Sequence, residues 1–311
     1  MTNKSTIEQL LREVGRRTKV KFSTETSAKK LTTFSIGGQL NLFEPQTVVE
    51  LQELILALIT EGLSYNILGA GSNLLVQDAG ISSPVIKLST ALGSEFNFME
   101  QQEAGLIRVG AARSLMRLSR EISRLGLVGL EFAGGIPASV GGAVRMNAGA
   151  HQGEMSQLIK SVTYLDSSAE AQTVEANQLD FAYRKTSLAK DALVIAVDLQ
   201  LVHGDAVEIA EHQKSCLDYR KKTQPLQMPS AGSIFKNPGS ELFAGKLIED
   251  SGLKSLKKGF AEISSLHANW IVNPQKQASS QDVLDLIADI QDRILADYQI
   301  DLETELVCWD T

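Results

Sequence analysis

The chain is 311 residues long, 43% hydrophobic and 22% charged, with a formal net charge of −7. These are globular values with length enough for two cores, so wholesale disorder is excluded, and a nucleic-acid binder, which needs a basic face, is disfavoured. An anionic ligand remains compatible, because such ligands are held by local groups and not by the net charge.

The N-terminus, MTNKSTIEQLLREVGRRTKV, has no apolar core segment of a signal peptide. Residues 47–61 space Val48, Leu51, Ile55, Leu58 and Ile59 as a helical stripe that Gly62 stops. YNILG reads as a short strand running into GAGSN, and further strands are expected at PVIKLS and LIRVGA. Leu115, Leu118, Ile122 and Leu125 line one face of a helix ending at Gly126. The least charged window, Leu125 to Val144, has Glu131 as its single charge, but six glycines and Pro137 rule out a membrane span. Strands follow at VTYLD and ALVIAVDLQL. DAVEIAEHQKSCLDYRKK is helical and ends basic, and a long helix from Ser280 to Tyr298 turns Val283, Leu286, Ile287, Ile290 and Ile294 inward, with Ser279 or Ser280 as its cap. ELVCW is a last strand. The texture changes after His203, which places a boundary near residue 205: one α+β domain over 1–205, its core from about 31, then a smaller α+β domain over 206–311. Cys216 and Cys308 lie far apart and read as reduced thiols of a cytoplasmic protein. The four histidines lack ligand spacing, so no metal is expected.

Two glycine segments carry the chemistry. In GAGSNLLV, Gly69 and Gly71 allow close backbone approach, and Ser72 and Asn73 add donors. Leu74 breaks the dinucleotide fingerprint and no Lys-Ser/Thr follows, so the turn alone reads either as a phosphate cradle or as a tight turn. The second segment, GLEFAGGIPASVGGAVRMNAGAHQGE, sets Gly134, Gly135, Gly141, Gly142 and Gly149 around Pro137. Closely spaced glycines present successive N–H groups to a diphosphate; the plainer reading is a packed glycine crossing between strands. Two such segments in one domain suggest a long, diphosphate-bearing cofactor.

GAGSNLLV together with GGIPASVGGAVRMNAGA resembles the FAD-binding domain of the vanillyl-alcohol-oxidase (p-cresol methylhydroxylase) type, built of two α+β subdomains. FAYRKT, SAGSIFKNP, AGKLIEDSGLK and LETEL extend the likeness, from about Leu31 to Leu306, to the UDP-N-acetylenolpyruvoylglucosamine reductase family, in its shorter subtype. The resemblance implies a cytoplasmic, monomeric enzyme of peptidoglycan precursor synthesis, with no nucleic-acid partner. Its FAD, reduced by NADPH, would pass a hydride to UDP-N-acetylglucosamine enolpyruvate. No histidine stands in the first turn, so the flavin is expected to be non-covalent.

The same likeness implies residue roles. Gly69, Ala70, Gly71, Ser72, Asn73, Gly135, Ile136, Pro137, Ser139, Gly141, Gly142 and Ala143 would bind the cofactor, and Lys236 and Asn237 the nucleotide substrate. Arg184 matches the catalytic arginine, whose planar fork suits a carboxylate, and read alone is equally an ordinary salt-bridge arginine. Ser233 matches the proton donor. Glu305 matches the late glutamate, protonated or sharing a proton, although Glu303 would share its strand face. Ala138 and Ser139 stand where the family commonly has glycine and threonine, which asks the loop to tolerate a β-carbon. The rival readings are another non-covalent flavoprotein oxidoreductase of this fold and a non-catalytic sensor of UDP-sugar or flavin.

Overall fold

The computed structural model describes residues 4–103 and 105–310. Helix α1 (Lys4–Thr18) opens the chain. Helix α2 (Val48–Thr60) starts where the Thr47 hydroxyl accepts the Glu50 N–H at 3.1 Å. It buries Leu51, Leu54, Ile55 and Leu58. Ile59, expected on that stripe, is 46% exposed, because Leu54 completes the buried face instead. Helix α3 (Leu115–Arg124) buries Leu115, Leu118 and Ile122, while Leu125 falls beyond the last turn and faces out.

Short α4 (Val140–Arg145) lies within the second glycine segment, and α5 (Ala206–Thr223) is the long basic-ended helix. Helix α6 (Ala244–Asp250) precedes α7 (Ser280–Tyr298), whose cap is Ser279: its hydroxyl accepts the Asp282 N–H. No helix among the described residues is long and apolar enough to cross a membrane.

The chain forms two compact units, and each draws on separated segments. The first takes residues 1–23, 41–70 and 83–219. Its centre is a five-stranded antiparallel sheet with the order Ala171–Glu175, Ile159–Leu165, Leu193–Gln200, Leu106–Gly110, Met99–Glu103. Leu193–Gln200 is buried along seven of its eight residues, as an interior strand should be. Its apolar side chains share one core with Leu51, Leu118, Val140 and Val144.

The second unit takes residues 24–40, 71–82 and 220–311. Here α6, α7 and a three-stranded antiparallel sheet (Lys257–Lys258, Ala261–Ile263, Ile271–Val272) enclose their own core. These units differ from a single cut near residue 205. The reason is apolar: Phe34, Ile36 and Leu75, early in the chain, are buried with Ile234, Ile271 and Leu286. Strand Leu74–Val76 also pairs in parallel with Val307–Trp309, which ties residues 71–82 to the end of the chain.

Candidate active site

In the first unit the second glycine segment is laid against the stretch before α3. Val140 N–H donates to Arg113 O and Gly141 N–H to Ala111 O, both at 2.9 Å. Gly142 N–H goes to Ser139 Oγ at 3.2 Å and Ala143 N–H to Ser139 O at 2.9 Å. Four successive amides of this segment, among them those of Gly141, Gly142 and Ala143 expected on the cofactor, therefore bond within the protein. Ser139 is the N-cap of α4, so a serine here performs the capping that a threonine would. Ala143 is 1% exposed and faces the core.

The first turn is built differently. Among the described residues, no protein group accepts from the backbone N–H groups of Gly69, Ala70, Gly71, Ser72 or Asn73. Gly71 has φ +65°, and a β-carbon there would stand 2.2 Å from Leu31 O. At Gly69 a β-carbon would come within 2.8 Å of Ser139 Oγ, so that hydroxyl would have to shift. Five consecutive amide donors left open by the protein, on a turn that requires glycine at position 71, fit the phosphate oxygens of the FAD diphosphate.

Arg184 lies in the two-residue turn joining strands Phe181–Ala182 and Lys185–Thr186. It occupies the left-handed region at φ +58°, which an arginine adopts only where its surroundings enforce it. Its Nη2 donates to Gly149 O at 3.1 Å, and the guanidinium carbon stands 4.9 Å from the centre of the Tyr183 ring. Buried Asn147 braces the hairpin: its Nδ2 donates to Ala182 O at 3.3 Å while its Oδ1 accepts Ser156 N–H at 2.9 Å.

In the second unit, Ser233 follows Gly232 (φ +80°) and leads into a ribbon bonded on both edges. On one edge Glu305 N–H donates to Ile234 O at 2.8 Å and Lys236 N–H to Glu303 O at 2.9 Å, so Phe235 bridges antiparallel to Thr304. On the other edge Asn269 supplies three bonds. Its backbone O accepts Ile234 N–H at 2.9 Å, its Oδ1 accepts Phe235 N–H at 2.9 Å, and its Nδ2 donates to Phe235 O at 2.8 Å. On the far side of Glu305, Asn73 Nδ2 donates to Glu305 O at 2.9 Å. The residue expected on the cofactor thus uses its carboxamide to hold the glutamate's backbone.

Glu303 and Glu305 separate cleanly. The Glu303 side chain is 73% exposed and pairs with Lys236 Nζ, whereas Glu305 is half-buried. Lys236, expected on the substrate, therefore carries a protein carboxylate. Asn237 Oδ1 accepts Ala244 N–H at 3.1 Å and starts α6. The sequence reading missed Asn147, Asn269 and the fully buried Asn273, whose Nδ2 donates to Phe34 O at 3.1 Å. A signal was present: HANWIVN sets two asparagines in an apolar strand context, where a buried amide needs fixed partners.

Residues 40–175 match the FAD binding domain model, and residues 224–309 match the model of the UDP-N-acetylenolpyruvoylglucosamine reductase C-terminal domain. Fold and site thus define a flavoprotein with an α+β FAD-binding domain and a smaller α+β C-terminal domain. The UDP-N-acetylenolpyruvoylglucosamine reductase of Bacillus subtilis is 39% identical over 303 residues, covering 96% of this chain and 98% of its own length. That of Heliobacterium modesticaldum is 40% identical over 88% of this chain. The crystal structure of the Thermus caldophilus enzyme superposes with a TM-score of 0.81 at 36% identity, covering 94% of this chain and 100% of that one. The chain belongs to the UDP-N-acetylenolpyruvoylglucosamine reductase family.

Proposed function

We propose that this protein reduces the enolpyruvyl ether of UDP-N-acetylglucosamine to UDP-N-acetylmuramate, with NADPH as reductant and FAD as the bound carrier. FAD, when bound, supplies two-electron hydride transfer from the nicotinamide to the methylene carbon of the enolpyruvyl group. The protein's task is the negative charge that this addition leaves on the neighbouring carbon and its carboxylate. Groups aimed at that charge lower the barrier because they bind the transition state more strongly than the ground state.

Arg184 supplies a planar cation matched to a carboxylate. Glu305 holds a proton against the developing enolate oxygen. Ser233 Oγ delivers its proton to the carbanionic carbon, completing the addition of one hydride and one proton across the double bond. A serine is a weak acid, so the step depends on prior alignment. The observation that carries the reading is the ribbon in which Glu305 N–H bonds Ile234 O at 2.8 Å, next to Ser233. The turn Gly69–Asn73 is the proposed seat of the FAD diphosphate.

The test separates the half-reactions. Ser233→Ala is expected to leave reduction of the flavin by NADPH near the wild-type rate. Its reoxidation by UDP-N-acetylglucosamine enolpyruvate should slow by about 10²–10⁴-fold, the usual worth of a placed proton donor. Equal loss in both half-reactions would make the serine structural. Reoxidation by oxygen alone would point to an oxidase.

A further inference from the structure

The hairpin that carries Arg184 belongs to no larger sheet among the described residues. Its strands, Phe181–Ala182 and Lys185–Thr186, pair only with each other. The base is closed by Ser187 N–H on Asp180 O and by Asp180 N–H on Ser187 Oγ, both at 2.9 Å. An isolated two-stranded hairpin is marginal in water. Its direction, and with it that of Arg184, is therefore set by ties to the rest of the first unit.

Polar ties come from one short stretch, Arg145 to Gly149. Asn147 holds the first strand through Ala182 O, and Gly149 O accepts from Arg184 itself. Arg145, the last residue of α4, takes the other end of the hairpin. Its Nη1 donates to Ala189 O at 2.6 Å and to Leu188 O at 3.3 Å, and its Nη2 donates to Lys190 O. Three consecutive carbonyls beyond the second strand are thus gathered by one planar fork, which the single ammonium of a lysine could not span in the same way.

The anchor behind this fork is fixed. Val140, Ala143 and Val144 of α4 are buried in the same core as Leu188. Asp191 favours the charge of Arg145 against the cost of burial, yet among the described residues the guanidinium bonds main-chain carbonyls and no carboxylate. An arginine used in this way clamps backbone, and the backbone it clamps is the foot of the Arg184 hairpin. We propose that Arg145 is a positioning residue for the reduction: by tying Leu188–Lys190 to α4 it aims the Arg184 guanidinium at the substrate carboxylate. The proposal rests on the reductase reading, in which Arg184 meets that carboxylate. Without the clamp Arg184 keeps its charge but loses its aim, and a misplacement of about 1 Å can cost about 100-fold in rate.

The experiment follows flavin absorbance anaerobically in the two half-reactions of the holoenzyme, for the wild type, Arg145→Met, Arg145→Lys, Arg184→Met and the double variant Arg145→Met/Arg184→Met. Arg145→Met is expected to slow flavin reoxidation by UDP-N-acetylglucosamine enolpyruvate by about 10- to 100-fold. Flavin reduction by NADPH and retention of FAD on dilution should stay within about twofold of wild type, because the clamp acts on Arg184 and not on the cofactor. Arg145→Lys should fall between the two. In the Arg184→Met background, adding Arg145→Met should slow reoxidation by less than about a further twofold, since the residue it works through is gone. If the methionine variant fails to fold, Arg145→Lys carries the same comparison and the same cycle. Unchanged reoxidation in Arg145→Met overturns the proposal. So does equal slowing of both half-reactions, loss of FAD, or a full effect that persists without Arg184. A wild-type protein that NADPH reduces but the enolpyruvyl substrate does not reoxidise would sink the reductase reading itself, before any variant is compared.

Discussion

The carboxamide of Asn269 is paired on both sides with the peptide of Phe235: Oδ1 accepts its N–H at 2.9 Å and Nδ2 donates to its carbonyl at 2.8 Å. A side chain thereby takes the place of a neighbouring strand for the residue two beyond Ser233. At 4% exposure, no water competes for those bonds.

Asn269→Asp tests that pairing. The aspartate keeps an acceptor for Phe235 N–H but turns its second oxygen toward Phe235 O, where a donor is required. The expected loss is about 1–3 kcal/mol of unfolding free energy, from one buried carbonyl left unpaired. Urea unfolding measures it. Asn269→Asp should also slow flavin reoxidation by substrate more than flavin reduction by NADPH, because the backbone behind Ser233 loosens. Uniform slowing of both steps would give Asn269 a purely structural role.

Glu303 and Glu305 should behave oppositely. Glu303→Gln removes an exposed ion pair with Lys236, so stability should change by less than about 1 kcal/mol and turnover should stay near wild type. Glu305→Gln should leave the fold intact and lower kcat by about tenfold or more, since it alters a group aimed at the developing charge. Steady-state kinetics with thermal melts on the pair decides. A strong kinetic effect at 303 and none at 305 would reverse the assignment.

Much of this was legible in the sequence because periodic apolar patterns report burial directly. The stripe Val283, Leu286, Ile287, Ile290 and Ile294 is buried throughout, and Leu193–Gln200 is a central strand. What stayed hidden depends on pairing between distant segments. Nothing in GAGSN states that Asn73 turns to a carbonyl 232 residues away. Nor does the glycine pattern at 134–142 state that its amides are consumed by Arg113, Ala111 and Ser139. The left-handed Arg184 is likewise a product of its hairpin and not of its residue type. The single cut near 205 failed to anticipate Phe34, Ile36 and Leu75 in the second core, because hydrophobicity names what is buried but not against what.

Asp282 joins the start of α7 to the loop at Phe260. Its Oδ2 accepts Ser279 N–H at 3.0 Å and Phe260 N–H at 3.2 Å. Burial raises the pKa of the carboxyl, but the Ser279 and Phe260 amides and the Ser279 side chain outweigh it and hold the group below its ordinary value. Asp282→Ala should cost about 1–2 kcal/mol, the usual range for losing a helix cap, and Asp282→Asn should recover part of it. An unchanged melting temperature in Asp282→Ala would show that the first turn of α7 is held by its core contacts alone.

His267 gives the second unit a pH dependence whose sign follows from its surroundings. Burial lowers its pKa from 6.5, the nearby Lys254 lowers it further, and Glu249 opposes them. Its Nδ1 accepts the Asn269 N–H at 3.3 Å, a bond that requires the nitrogen to be unprotonated. The folded state therefore holds a neutral imidazole at pH values where the unfolded chain takes up a proton. Stability from this residue is fully present above pH 6.5 and declines as pH falls below that value toward the folded-state pKa. Thermal melts from about pH 7.5 to about pH 5.5 should show the wild type losing stability more steeply than His267→Gln, which has no proton to bind. Parallel curves for the two proteins would mean that His267 titrates alike folded and unfolded, and the acid sensitivity would then belong to other groups.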